Sequence, residues 1–83
     1  MARWSTDYRL FLKRLVQARR DAGISQRQAA ARLGRLQSYI SKSELGERRV
    51  DVIELAEFAN LYHKDLYYFI PESLSGHRPR RHR

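Results

Sequence analysis

The 83-residue chain contains no cysteine, and it has only two prolines, four glycines and no long apolar run. The absence of cysteine excludes a disulfide framework, a thiolate metal site and a cysteine nucleophile. No stretch reaches the apolar length of a membrane span, and the first residues lack the apolar segment of a signal peptide. We therefore expect a cytoplasmic protein without a membrane-spanning segment.

Negative charge is also scarce, because 17 lysines and arginines face only nine aspartates and glutamates, which gives a net charge of +8. A balance this basic favours a polyanionic partner, either nucleic acid or an anionic membrane. The alternative is a charge that only keeps the protein dispersed. The length allows one small domain, and the small core of such a domain favours a partner that buries additional surface.

Apolar residues spaced three and four apart predict helices, and no run alternates as a strand would. Helix-start signals lie at Ser25 and Asp51, each followed three residues later by a glutamine or glutamate, and Gly34 is a stop signal. The predicted class is all-α, with five helices at 7–22, 26–33, 37–45, 52–62 and 66–70. We expect one domain over 1–70, followed by a basic tail over 71–83 that is either disordered or an arm that contacts phosphates.

The second and third predicted helices are joined by a turn so tight that they must cross at a steep angle. Leu33, Leu36 and Ile40 are expected to close the inner corner of this turn. Helical spacing then places amide, hydroxyl and ammonium groups on the outer face of the third helix, namely Gln37, Ser38, Ser41 and Lys42. Such groups suit base edges and phosphates, although a solvated helix face is also polar.

Enzymatic chemistry has little support in this sequence. It contains no paired catalytic carboxylates, no nucleophile with a base and no glycine-rich phosphate loop, so we expect no catalytic activity and no cofactor. His77 and His82 lack further ligands, so no metal site is predicted. Binding to a membrane surface is disfavoured because the apolar stripes are needed for the core.

The segment from Gly23 to Arg49 carries a family resemblance. It includes Gly23-Ile24-Ser25-Gln26, Leu33-Gly34, Ser38-Tyr39-Ile40-Ser41-Lys42 and Glu44-Leu45-Gly46-Glu47-Arg48-Arg49. Over residues 12–70 the chain resembles the phage-repressor-like helix-turn-helix family, which includes lambda repressor, Cro and xenobiotic-response-element proteins. The resemblance implies a compact five-helix fold, with the helix-turn-helix at helices two and three, that binds double-stranded DNA.

The resemblance also implies roles for single residues. Gln26 would contact a phosphate and brace the third helix, and the bases would be read by Gln37, Ser38 and Lys42. Arg19 and Glu44 would form a structural ion pair, which makes a charge on an apolar stripe tolerable. Beside these, the candidate DNA contacts from residue chemistry and position are Arg27, Arg35, Tyr39, Ser41, Arg48 and Arg49. Tyr39 could instead belong to the core.

The chain departs from the family pattern at several positions. Leu36 occupies a place usually held by a polar N-cap, so it either fills the corner or touches a thymine methyl group. Ser43 replaces an apolar residue, which should loosen the packing there. His63 and Lys64 stand where glycine and an apolar residue are common, so the turn after the fourth helix should be altered.

The C-terminal end of the predicted domain is too apolar for so short an element, and part of it suggests an interface. The candidate dimer contacts are Tyr62, Leu66, Tyr67, Phe69 and Ile70. The first hypothesis is a prokaryotic or phage homodimeric repressor, nucleoid-associated, that binds an inverted-repeat operator. The alternative is an antitoxin-like protein-interaction module that neutralises a partner protein, with DNA binding secondary.

Overall fold

The computed structural model describes residues 5–75, which form six α-helices and contain no strand. The helices are α1 (Thr6–Asp21), α2 (Gln26–Leu33), α3 (Gln37–Leu45), α4 (Val52–Tyr62), α5 (Leu66–Phe69) and α6 (Glu72–Ser75). The expected all-α class is confirmed, and the bounds of α2, α3 and α4 agree with those predicted. The first predicted helix begins and ends one residue earlier than expected, and the fifth ends one residue earlier.

Polar side chains fix the starts of four of these helices. Ser25 and Asp51 form complete capping boxes. Each side chain accepts from the backbone N–H three residues on, and each residue's own backbone N–H donates to the side chain of Gln28 or Glu54 in return. Ser5 caps α1 and Asp65 caps α5 in the simpler way. Each cap satisfies an N–H group that the helix itself leaves unpaired, so the sequence fixes where the helix begins.

The core lies where α1, α3, α4 and α5 converge. Leu15 of α1, Ile40 of α3, Phe58 of α4 and Phe69 of α5 are all fully buried. Smaller residues of α2 complete it, because Ala29 and Ala30 let that helix approach closely. The short α5 is held to α1 by Arg14, whose Nη1 donates to the Tyr68 carbonyl at 3.2 Å.

A tight turn sets α3 against α2, with which it makes its most extensive helix contact. Gly34 ends α2 at φ 68°, in the left-handed region that glycine adopts without strain. Leu33 and Ile40 line the inner side of the turn, half-buried and fully buried respectively. Leu36 does not, because 78% of its surface is exposed, so its predicted place in the corner is wrong.

Two further expectations about buried faces are corrected. Helical spacing with Leu55, Phe58 and Tyr62 predicts Val52 on the apolar stripe of α4, but as the first residue of that helix it is 71% exposed. Tyr62 and Phe69, expected in a dimer interface, are 2% and 0% exposed. Both rings pack within the protein's own core, so neither can form an intermolecular contact in this structure.

The helix α6 is not predicted by the sequence, because it follows Pro71, where the helical periodicity stops. Pro71 itself is buried, and the Ser73 hydroxyl donates to Asp7 Oδ1 at 2.8 Å, which ties α6 to the first turn of α1. Most of the predicted basic tail, residues 76–83, lies outside the described residues, as do residues 1–4.

The turn after α4 is kept despite its unusual residues. His63 ends α4 at φ 57°, the one non-glycine positive φ among the described residues. Lys64 pairs with Asp21 of α1 at 3.0 Å, and its ammonium lies 4.6 Å from the centre of the Tyr68 ring. The left-handed turn therefore forms with a histidine where the family pattern has glycine, and Lys64 fastens it to α1.

Candidate nucleic-acid interface

The outer face of α3 is a polar surface formed by the side chains that the sequence places there. Gln37, Ser38 and Lys42 are exposed, whereas Ser41 is half-buried. The Ser41 hydroxyl donates to the Ser38 carbonyl at 3.3 Å, so it is turned toward its own helix. We call Gln37, Ser38 and Lys42 the α3 polar surface.

Behind this surface lies a buried ion pair between α1 and α3. Arg19 Nε donates to Glu44 Oε2 at 2.7 Å, and its Nη2 donates to Glu44 Oε1 at 3.2 Å. The side chains are 13% and 5% exposed. A third bond joins Arg19 Nη1 to the Ile24 carbonyl at 3.1 Å. The bond to Glu44 raises the pKa of Arg19, so the buried guanidinium stays charged with specific hydrogen-bond partners.

The same carboxylate also holds a glutamine of α2, and through it the α3 polar surface. Gln26 Nε2 donates to Glu44 Oε1 at 2.9 Å, and Gln37 Nε2 lies 3.4 Å from Gln26 Oε1. A continuous set of side-chain bonds therefore runs from buried Arg19 to exposed Gln37. Because each bond restricts the rotamers of its partners, this network orients the first residue of α3.

Two arginines flank α3 around a single tyrosine ring. The Cζ atoms of Arg35 and Arg48 lie 4.3 and 4.4 Å from the centre of the Tyr39 ring. Arg48 also pairs with Glu54 at 2.7 Å and donates to the Ser43 hydroxyl at 3.1 Å, whereas Arg35 is 3.4 Å from Glu57. Glu54 raises the pKa of Arg48 through that bond, so Arg48 is engaged chiefly inside the protein.

Tyr39 takes the core role rather than the phosphate role. Its ring stacks on Phe58 at a centroid distance of 5.9 Å. Its hydroxyl is buried with no hydrogen-bond partner among the described residues, and burial raises its pKa. The hydroxyl therefore cannot reach a phosphate in this conformation, and the expected direct contact from Tyr39 is not available.

Ser43 does not loosen the packing as expected. It is fully buried, and its hydroxyl donates to the Tyr39 carbonyl at 2.6 Å while accepting from Arg48. The Ser43 hydroxyl therefore links α3 to Arg48 through hydrogen bonds. The sequence contains no signal for this link, because it depends on where the loop after α3 places Arg48.

The remaining basic candidates lie at different places. Arg27, at the start of α2, is exposed beside Gln26. Arg49 lies away from the α3 polar surface, with its Cζ 5.0 Å from the centre of the Tyr8 ring in α1. Together with Phe69 and Pro71, Arg49 and Tyr8 line an open groove of about 250 Å³. Arg27 therefore lies in the first turn of α2, whereas Arg49 belongs to the α1–α5 side.

Among residues 5–75, no cluster of histidine and acidic side chains has the composition of a metal site. Nor is any described helix long and apolar enough to span a bilayer.

Comparisons with known proteins agree with this architecture. The sequence model of the helix-turn-helix domain family matches residues 10–65. A solved XRE-family like protein from Pseudomonas syringae pv. tomato str. DC3000 is 48% identical, with a TM-score of 0.71, over 76% of this chain and 77% of that chain. No curated protein sequence matches the chain. The protein therefore belongs to the XRE-like, lambda-repressor-like helix-turn-helix family of DNA-binding transcription regulators.

Proposed function

We propose that the protein is a homodimeric repressor that inserts α3 into the major groove of an inverted-repeat operator. The observation that carries the proposal is the α3 polar surface, whose first residue is braced from behind by Gln26 and Glu44. Amide, hydroxyl and ammonium groups held on a rigid helix suit the donor and acceptor pattern of base edges.

Phosphate contacts would come from groups beside α3. Arg27 is exposed in the first turn of α2, and the N-terminus of a helix suits an anion. Arg35 is exposed but lies near Glu57, so a phosphate would have to displace that carboxylate. These contacts would position α3 on the duplex without reading its sequence.

The dimer would use those parts of the predicted interface that the core leaves accessible. Leu66 and Tyr67 are 43% and 50% exposed, and Ile70 is half-buried beside them. A two-fold contact here could hold two copies of α3 about 34 Å apart, the separation of successive major-groove faces. An inverted repeat would then mirror the symmetry of the protein.

Selection of bound sequences from random duplex DNA tests the proposal directly. Recovery of a palindrome supports it, and recovery of no preferred sequence refutes specific binding. On the selected duplex, Lys42→Ala and Gln37→Ala should each lower discrimination against random DNA by about 1–3 kcal/mol. Arg27→Ala is the matched control, because loss of a phosphate contact should weaken binding to both duplexes alike.

Salt dependence provides an independent check. Each phosphate neutralised adds about −0.9 to the slope of log K against log salt, so several contacts should weaken binding tenfold or more over a few-fold rise in salt. The result that contradicts the proposal is a flat response in fluorescence anisotropy.

A further inference from the structure

Leu36 is the most exposed of the large apolar side chains that the structure describes, at 78%. A single exposed leucine is common on protein surfaces and requires no explanation. Its position does, because Leu36 immediately precedes Gln37, the first residue of the α3 polar surface. An apolar group therefore borders the polar groups proposed to read bases.

A second observation concerns the start of α3. Leu36 is its N-cap residue and makes no side-chain hydrogen bond, whereas α1, α2, α4 and α5 all begin at a serine or aspartate that does. Replacing a polar N-cap by an apolar residue destabilises a helix. The chain therefore keeps an unfavourable residue at one helix start while using favourable ones at four others.

No structural role within residues 5–75 accounts for this choice. The side chain does not fill the corner between α2 and α3, since most of its surface faces outward. The first turn of α3 uses only the backbone of Leu36, whose carbonyl accepts from the Tyr39 N–H at 3.0 Å. Any residue, including serine, would supply that carbonyl. Locally unfavourable residues of this kind are expected where they serve a function.

We infer that Leu36 contacts the 5-methyl group of a thymine and so contributes to the choice of operator. The methyl group is the one apolar feature that bases present in the major groove, and only thymine carries it. A leucine that enters the groove with Gln37 would cover that methyl group and exclude water from it. The inference rests on the proposed function, and it adds an apolar contact to the polar ones described above.

The test uses the duplex recovered by selection with the full chain. Each thymine is replaced in turn by deoxyuridine, which removes the methyl group and leaves base pairing unchanged. Burial of one methyl-sized group corresponds to about fourfold in affinity. We expect one replacement in each half-site to weaken binding of the wild type by about that factor, and to leave binding of Leu36→Ala unchanged.

Leu74→Ala is the matched control, because Leu74 is 65% exposed but lies in α6, beside α1. It should keep the full sensitivity to deoxyuridine. Circular dichroism must show that Leu36→Ala remains helical, as expected for an exposed side chain.

The possible outcomes separate the inference from the function on which it rests. If the wild type tolerates every deoxyuridine, or if Leu36→Ala loses the same factor as the wild type, the methyl contact is refuted while specific DNA binding stands. If no duplex is selected at all, the proposed function fails first, and the inference fails with it.

Discussion

The buried pair of Arg19 and Glu44 allows a sharp test of how this small domain is held together. We consider replacement of each residue by methionine, singly and together, which keeps a long side chain and removes the charge. Arg19→Met leaves the Glu44 carboxylate 5% exposed, with Gln26 as its remaining side-chain partner. Glu44→Met leaves the Arg19 guanidinium buried, with only the Ile24 carbonyl.

Breaking a buried pair on one side costs about 3–5 kcal/mol, because the remaining charge stays desolvated and unpaired. For a chain of 83 residues, the free energy of unfolding is about 4–12 kcal/mol. Each single variant should therefore lose a large part of its stability. The double variant should cost much less than the sum, since two apolar side chains of similar length can replace a buried pair with little loss.

Urea unfolding followed by circular dichroism at 222 nm measures all four proteins at one temperature, and the double-mutant cycle gives the coupling free energy. Arg35 and Glu57 supply the matched control, because their side chains are 36% and 42% exposed and 3.4 Å apart. That pair should couple by no more than about 1 kcal/mol. Single losses at Arg19 and Glu44 that add within about 0.5 kcal/mol would refute the reasoning.

Five further substitutions, at four positions, have definite expected outcomes. Leu36→Ser supplies the N-cap that α3 lacks, so thermal unfolding should show a gain of about 0.5–2 kcal/mol, and an unchanged midpoint would contradict this view of the helix start. His63→Gly relieves the left-handed conformation and should stabilise the fold by about 0.5–1 kcal/mol, whereas His63→Val should destabilise it. Tyr67→Glu should give a folded monomer in ultracentrifugation. Phe69→Glu should instead lose helicity, because it places a charge in the core. A wild-type protein that is monomeric both free and on operator DNA would refute the proposed dimer.

The helices α2 and α4, which both begin at a capping box, have the bounds that the sequence predicts. For α2, a capping serine and a glycine lie on either side of one apolar stripe, and the predicted bounds agree with the structure. At α1 both Ser5 and Thr6 could cap, and the choice of Ser5 moves the start by one residue. Local chemistry therefore determines the helices, because capping bonds join residues only two or three positions apart.

The division of apolar residues between core and surface could not be predicted in the same way. Tyr62 and Phe69 look like their neighbour Tyr67 in the sequence, yet the first two are buried and the third is half exposed. For Phe69 and Tyr67 the difference depends on how α5 packs against α1, which involves residues more than 50 positions apart, such as Arg14 and Tyr68. The helix α6 was missed because its hold on α1 is equally distant in sequence.

Stability and recognition are related in opposite ways at the two ends of α3. Near its C-terminal end, Glu44 holds Arg19 in the core and, through Gln26, also orients Gln37 at the surface, so one change should harm both folding and proposed base reading. At its N-terminal end, Leu36 weakens the helix start while offering an apolar group to the proposed groove. Variants at Glu44 should therefore lose stability and discrimination together, whereas Leu36→Ser should gain the first and lose the second.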